Sequence, residues 1–79
     1  MEKEITKYIL KHLVGNEMDI STSEDLLTSG LIDSMGAIQL VGFVENRFHI
    51  KIPAEDLVVE NFITIDAMCK YIKKSQRDN

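Results

Sequence analysis

Gly30-Leu31-Ile32-Asp33-Ser34-Met35 runs without a break into Gly36-Ala37-Ile38-Gln39-Leu40-Val41-Gly42-Phe43-Val44-Glu45-Asn46-Arg47-Phe48. Leu40, Phe43, Val44 and Phe48 recur at spacings of three and four, which is the period of one helix face. Asp33 and Ser34 are both residues that start helices well, so the spacing predicts a helix over 34–48. Met35, Ile38, Gln39, Gly42 and Glu45 fall on a different face, mixed in character and lightly charged. Gly36 and Gly42 each cost about 1 kcal/mol relative to Ala inside a helix. That cost is accepted where something must approach closely.

Upstream, residues 15–33 lose all periodicity and collect Gly15, Asn16, Asp19, Ser21, Thr22, Ser23, Thr28, Ser29 and Gly30. Ser21 and Glu24 have the spacing of a capping box, which predicts a turn of helix over 23–27. Leu26, Leu27 and Leu31 are expected to pin this long loop to the core, which marks it as functional rather than a linker. Before the loop, Ile5, Tyr8, Ile9 and Leu13 form the stripe of a half-buried helix over 1–14. Glu2 and Glu4 at its start and Lys11 and His12 at its end suit the helix dipole, with Gly15 and Asn16 as the stop.

Downstream, Ile50, Ile52 and Pro53 read as briefly extended, with a turn at 54–56 and a short helix near 58–61. A last helix opens with Thr64 as cap and Asp66 in its first turn. It turns Ile65, Met68, Cys69 and Ile72 inward and ends in Lys70, Lys73 and Lys74. Residues 75–79 form a polar tail expected to fray. The expected fold is all-α: a small bundle of three main helices plus one short helix, with a long loop between helices one and two, as a single domain over 1–79. Its expected core is Ile5, Ile9, Leu13, Leu40, Val44, Phe48, Ile63, Met68 and Ile72, with Ser34 exposed at the start of helix two.

Size and charge exclude several classes of function. A chain of 79 residues has a small core, which argues against a roomy internal active site. A net charge of −4 and only 6% aromatic residues argue against a nucleic-acid partner. Cys69 is the single cysteine, so neither an internal disulfide nor a multi-cysteine zinc site is available. Asp19, Glu24 and Asp25 lack the ligand order of a calcium loop, His12 and His49 have no metal-ligand spacing, and no metal is expected. The charged run over 1–10 is read as neither a signal nor a transit peptide, and no apolar run approaches a membrane span, so a cytoplasmic location is expected.

The one place that suggests chemistry is Ser34, a hydroxyl at a helix N-terminus. A phosphate attached there would meet free backbone N–H groups and the positive end of the dipole. Taken alone, Asp33-Ser34 is far more often a simple helix cap. The wider pattern alters that weighting. EDLLTSGLIDSM, the helix ending VENRF, then IPAEDL and ITIDAM together resemble the acyl carrier protein family over nearly the whole chain.

The resemblance implies that Ser34, within the Asp33-Ser34-Met35 motif, receives 4′-phosphopantetheine from coenzyme A and bears acyl or related intermediates as thioesters. It implies a monomeric carrier rather than an enzyme, for fatty-acid-like, polyketide or specialised biosynthesis. Its partners would be a phosphopantetheinyl transferase, an acyl- or aminoacyl-loading ligase, and condensing or transferase enzymes. Helix two departs from fatty-acid carriers: Gly36 and Gln39 stand where those usually have carboxylates. The DSMG-x-x-QL run is closer to D-alanyl carrier proteins and other discrete carriers loaded by dedicated adenylating ligases. The expected partner face is Met35, Ile38, Gln39, Gly42 and Glu45, beside Asp33 and Ser34. A competing reading is an unmodified helical adaptor, which has no need of Ser34. A stand-alone enzyme is disfavoured because no catalytic constellation is present.

Overall fold

In the computed structural model, which describes residues 1–15 and 19–77, four α-helices follow in chain order: α1 (Glu2–Tyr8), α2 (Ser34–Phe48), α3 (Val59–Phe62) and α4 (Ile65–Arg77). A π-helical stretch, Ile9–Val14, continues α1, and a 3-10 turn, Ala54–Asp56, precedes α3. No strand occurs among the described residues. The architecture is the small all-α bundle expected from the periodicities.

Each helix end has a local cause. Asp33 caps α2 by accepting the Gly36 N–H at 2.8 Å. At the far end, His49 adopts the left-handed conformation (φ 56°) and its N–H returns to the Glu45 carbonyl. Thr64 Oγ1 accepts the Ala67 N–H at 2.9 Å and so starts α4. Gly15, at φ 113°, ends the first helical segment as expected, while Asn16, its expected companion, lies outside the described residues. α4 continues to Arg77, so the expected fraying does not reach residues 75–77; 78–79 lie outside the described residues.

Widening of the first helix from Ile9 was not expected, and packing accounts for it. On an α-helix Val14 would stand roughly 140° around from Ile9, turned away from the core. The wider turn lets both Leu13 and Val14 pack against the buried cluster, and the Gly15 N–H closes it on the Leu10 carbonyl at 3.0 Å.

Residues 19–33 hold no helix at 23–27, although half of the expected capping box forms, with the Ser21 N–H on Glu24 Oε1 at 3.4 Å. Asp25 is the reason. Its Oδ1 accepts the N–H groups of Leu27 (3.0 Å) and Thr28 (2.9 Å), and this local bonding replaces the helical pattern. Leu26 then acts as a central pin. It is fully buried, its N–H donates to the Ile63 carbonyl at 2.8 Å, and its carbonyl accepts from the Ile32 N–H at 2.9 Å. The starts of α2 and α4 therefore lie on either side of Leu26. Their ends also meet, where Gln76 Nε2 reaches the Phe48 carbonyl at 3.5 Å, so the two helices run parallel. α1 runs antiparallel to α2: Glu4 pairs with Arg47, and Tyr8 stacks on Phe43 with centroids 4.2 Å apart.

The core contains the expected Ile5, Ile9, Leu40, Val44, Met68 and Ile72. Leu13, Phe48 and Ile63, also expected there, are only half-buried. Leu26, Ile32, Ile50, Ile52, Phe62 and Ile65 are buried as well, five of them from connecting segments or the short α3. Three long helices leave the bundle open at its ends, and apolar residues from the connections fill those openings.

Candidate functional site

Ser34 is the first residue of α2 and is exposed. Asp33, not Ser34, caps the helix, so the serine hydroxyl is not needed for the fold there. The Asp33 carbonyl also takes the Ala37 N–H at 2.9 Å, the first bond of the helical ladder. The amides of Ser34 and Met35 remain without a partner among the described residues. A phosphodiester on the Ser34 oxygen would find those donors and the positive end of a 15-residue helix.

Gly36 makes this cap possible. A Cβ there would stand 2.9 Å from Ile32 Cγ2 and 3.3 Å from Asp33 Oδ1, so only glycine lets the chain before the helix pack under its first turn. The close approach is thus by the protein's own loop, not by a partner. Gly42 is different: it is exposed and nothing lies within 4 Å of where its Cβ would be.

Beyond Ser34, α2 presents apolar surface to solvent. Met35 and Ile38 are 64% and 65% exposed, and Gln39 and Gly42 are exposed beside them. Glu45 is not part of that open face to the same degree. It is half-buried, and its Oε2 accepts the Ile52 N–H at 2.8 Å, fastening the extended segment after the helix.

Across from Ile38 lies a groove of about 320 Å³, lined by Ala37, Ile38 and Val41 of α2 and by Leu57, Val58, Val59 and Phe62 on its other side. Leu57, Val58 and Val59 are 48%, 41% and 51% exposed, and sequence reasoning missed them as surface. A signal was present: three consecutive apolar residues in a polar connection cannot all face inward.

The other singled-out residues stay apart from this site. Cys69 is half-buried on α4; burial, helped by the negative charge of Glu2, pushes its thiol up and makes it a poor nucleophile. Lys70, Lys73 and Lys74 lie on the exposed side of α4. The Asp25 carboxyl is held below its usual range, chiefly by the Thr28 hydroxyl and further by the Thr28 and Leu27 N–H groups. It organises the loop. Burial and the bond to Asp56 raise the Tyr71 hydroxyl above its ordinary value. His12 lies against Tyr8, with ring centroids 4.8 Å apart, and His49 sits at the turn after α2. Among the described residues, no three His, Cys, Asp or Glu side chains gather as a metal site, and no helix is long and apolar enough to cross a membrane.

Residues 7–72 match the family model described as "Phosphopantetheine attachment site". The chain is 34% identical over 62 residues to a D-alanyl carrier protein of Streptococcus suis, covering 78% of each chain. It is also 34% identical over 53 residues to the D-alanyl carrier protein of Streptococcus uberis, covering 67% of each. An exposed serine hydroxyl, two free amides and an apolar groove one helical turn away suit a phosphate-linked, flexible arm. The chain therefore belongs to the phosphopantetheine attachment family and is a carrier protein of the acyl carrier type, close to the D-alanyl carriers, with covalently bound 4′-phosphopantetheine as its cofactor.

Proposed function

We propose that Ser34 is the residue that bears the arm, and that the protein carries a small aminoacyl group, D-alanine or a close analogue, loaded by a dedicated adenylating ligase. The bound arm supplies a terminal thiol on which the cargo rides as a thioester. The protein supplies the rest. Ser34 offers an oxygen that the fold does not otherwise use, and the free amides of Ser34 and Met35 hold the phosphodiester. Met35, Ile38, Gln39 and Gly42 meet each partner in turn, with Glu45 at their edge. Tethering keeps the cargo at high effective concentration at each partner's active site.

The observation that carries this reading is the exposed Ser34 beside a cap made by Asp33. The likeness to D-alanyl carriers, together with the weakly charged outer face of α2, supports the choice of cargo. The apolar groove beside Ile38 favours a second cargo, an apolar acyl group as in fatty-acid-like or polyketide synthesis.

Intact-mass spectrometry after incubation with coenzyme A and a phosphopantetheinyl transferase tests the attachment. The wild-type chain should gain one phosphopantetheinyl group and Ser34→Ala none, with the helical spectrum unchanged. A wild-type mass that stays constant with several transferases returns the protein to the adaptor reading. Offering the modified chain to adenylating ligases with ATP and either D-alanine or fatty acids then separates the two cargoes.

A further inference from the structure

The rim formed by Leu57, Val58 and Val59 is held from one side by a single side-chain bond. Asp56, the last residue of the 3-10 turn, accepts the Tyr71 hydroxyl on Oδ2 at 2.7 Å. The same residue's carbonyl accepts from Asn61 Nδ2 at 2.8 Å, and the Asn61 N–H donates to the Val58 carbonyl at 3.1 Å. Residues 56–61 therefore form a small closed unit that carries the rim. Phe62 anchors its end in the core, where its ring lies 5.9 Å from that of Tyr71. The start of the unit is tied to α4 through the Tyr71 hydroxyl. Leu57 follows at φ −81° and ψ 67°, outside both helical and strand regions, so its direction depends on where Asp56 is held.

This tie bears on the Ser34 site. An enzyme acting on the Ser34 oxygen must cover the first turns of α2, where Met35 and Ile38 are exposed. Ile38 lines the groove whose opposite side is Leu57, Val58 and Val59. The two apolar strips form one surface only while that spacing is kept.

Resting on the assignment of Ser34, we propose that Tyr71 is a positioning residue. Through Asp56, its hydroxyl holds Leu57, Val58 and Val59 as the second half of the apolar face on which the phosphopantetheinyl transferase docks. The bond acts on recognition rather than on transfer, because neither residue is on α2 and neither lines the groove beside it.

Steady-state modification of the full chain by a phosphopantetheinyl transferase, with coenzyme A saturating and carrier varied, tests this. Tyr71→Phe keeps the ring beside Phe62 and removes only the hydroxyl. The carrier KM should rise about 3- to 10-fold, the range that one lost hydrogen bond implies, with kcat unchanged. Asp56→Ala should match it, and the double variant should be no worse than either single one, since both remove the same bond. Asp56→Asn keeps an acceptor for the hydroxyl and should restore a KM within twofold of wild type. In the methyl NMR spectrum, Leu57, Val58 and Val59 should shift in Tyr71→Phe and not in Asp56→Asn.

An unchanged KM in folded Tyr71→Phe overturns the proposal, as does a fall in kcat, or an Asp56→Asn variant as poor as Asp56→Ala. If both Tyr71→Phe and Asp56→Ala fail to fold, the bond is a stability element and the proposal fails. A wild-type chain that no transferase modifies refutes the Ser34 assignment itself; the methyl shifts then still decide whether Tyr71 sets the rim.

Discussion

α2 and α4 are parallel helices of 15 and 13 residues that look alike from inside the molecule and opposite from outside. Inward, α2 buries Gly36, Leu40 and Val44, and α4 buries Ile65, Met68 and Ile72. Outward, α2 shows Met35, Ile38, Gln39 and Gly42, whereas α4 shows Asp66, Lys70, Lys73, Lys74 and Arg77. Folding explains the inner stripes, since each buried aliphatic side chain contributes about 1.5–3 kcal/mol. It does not explain the outer face of α2. Met35 and Ile38 stay about two-thirds exposed, so they gain little from the fold. The charged face of α4 remains hydrated and holds water against an apolar partner; the face of α2 releases it. The helix that opens at Ser34 is the one whose outer surface is suited to being covered.

The comparison can be broken first at its inner faces. Leu40→Ala and Ile72→Ala should each cost about 2–5 kcal/mol in chemical denaturation. A much smaller loss on one helix would show that the two stripes are not equivalent.

Outer faces come next. Met35→Glu or Ile38→Glu should slow modification and loading about tenfold, near 1.4 kcal/mol of binding, while Lys70→Glu and Lys73→Glu should stay within about twofold. Glu45→Gln should also have little effect, because the amide oxygen can still accept the Ile52 N–H. Rates should fall only modestly with salt, as few exposed ion pairs are there to be screened. A reversed order, or a steep salt dependence, would move recognition to the charged surface.

At the helix start, Asp33→Ala should cost about 1 kcal/mol and Ser34→Ala a few tenths, because Asp33 makes the cap. Equal losses in thermal unfolding would mean that the serine is structural after all.

The smallest effect concerns the loop that joins the two helix starts. Asp25 is held below the ordinary carboxyl range in the folded state, so its contribution is full above the unfolded value of about 4 and is lost as pH falls from there through the lower folded value. Asp25→Asn should lower stability slightly at pH 6, and that difference should shrink steadily as pH falls below the ordinary carboxyl range. A difference that grows in acid would contradict the assigned hydrogen bonds.

What could be read in advance follows from the range of the interactions. The 3.6-residue period placed α2 with both its ends, because Asp33, Gly36 and the apolar stripe all act within a few residues of one another. The short helix, expected near 58–61, forms at Val59–Phe62, a shift of one residue. At 23–27 the capping spacing misled: Asp25 bonds to its own near neighbours, and only the finished loop shows which local bond prevails.

By itself, the sequence determined α2, α4 and the start of α1, most of their inner stripes and the serine at a helix start, since each depends on residues close along the chain. Tertiary structure alone decided that Leu26 bonds to Ile63 and that Glu45 turns toward Ile52. It also set Leu57, Val58 and Val59 opposite Ile38, with Tyr71 holding Asp56. These are contacts between segments that spacing does not relate, and their geometry exists only once the segments have packed against one another.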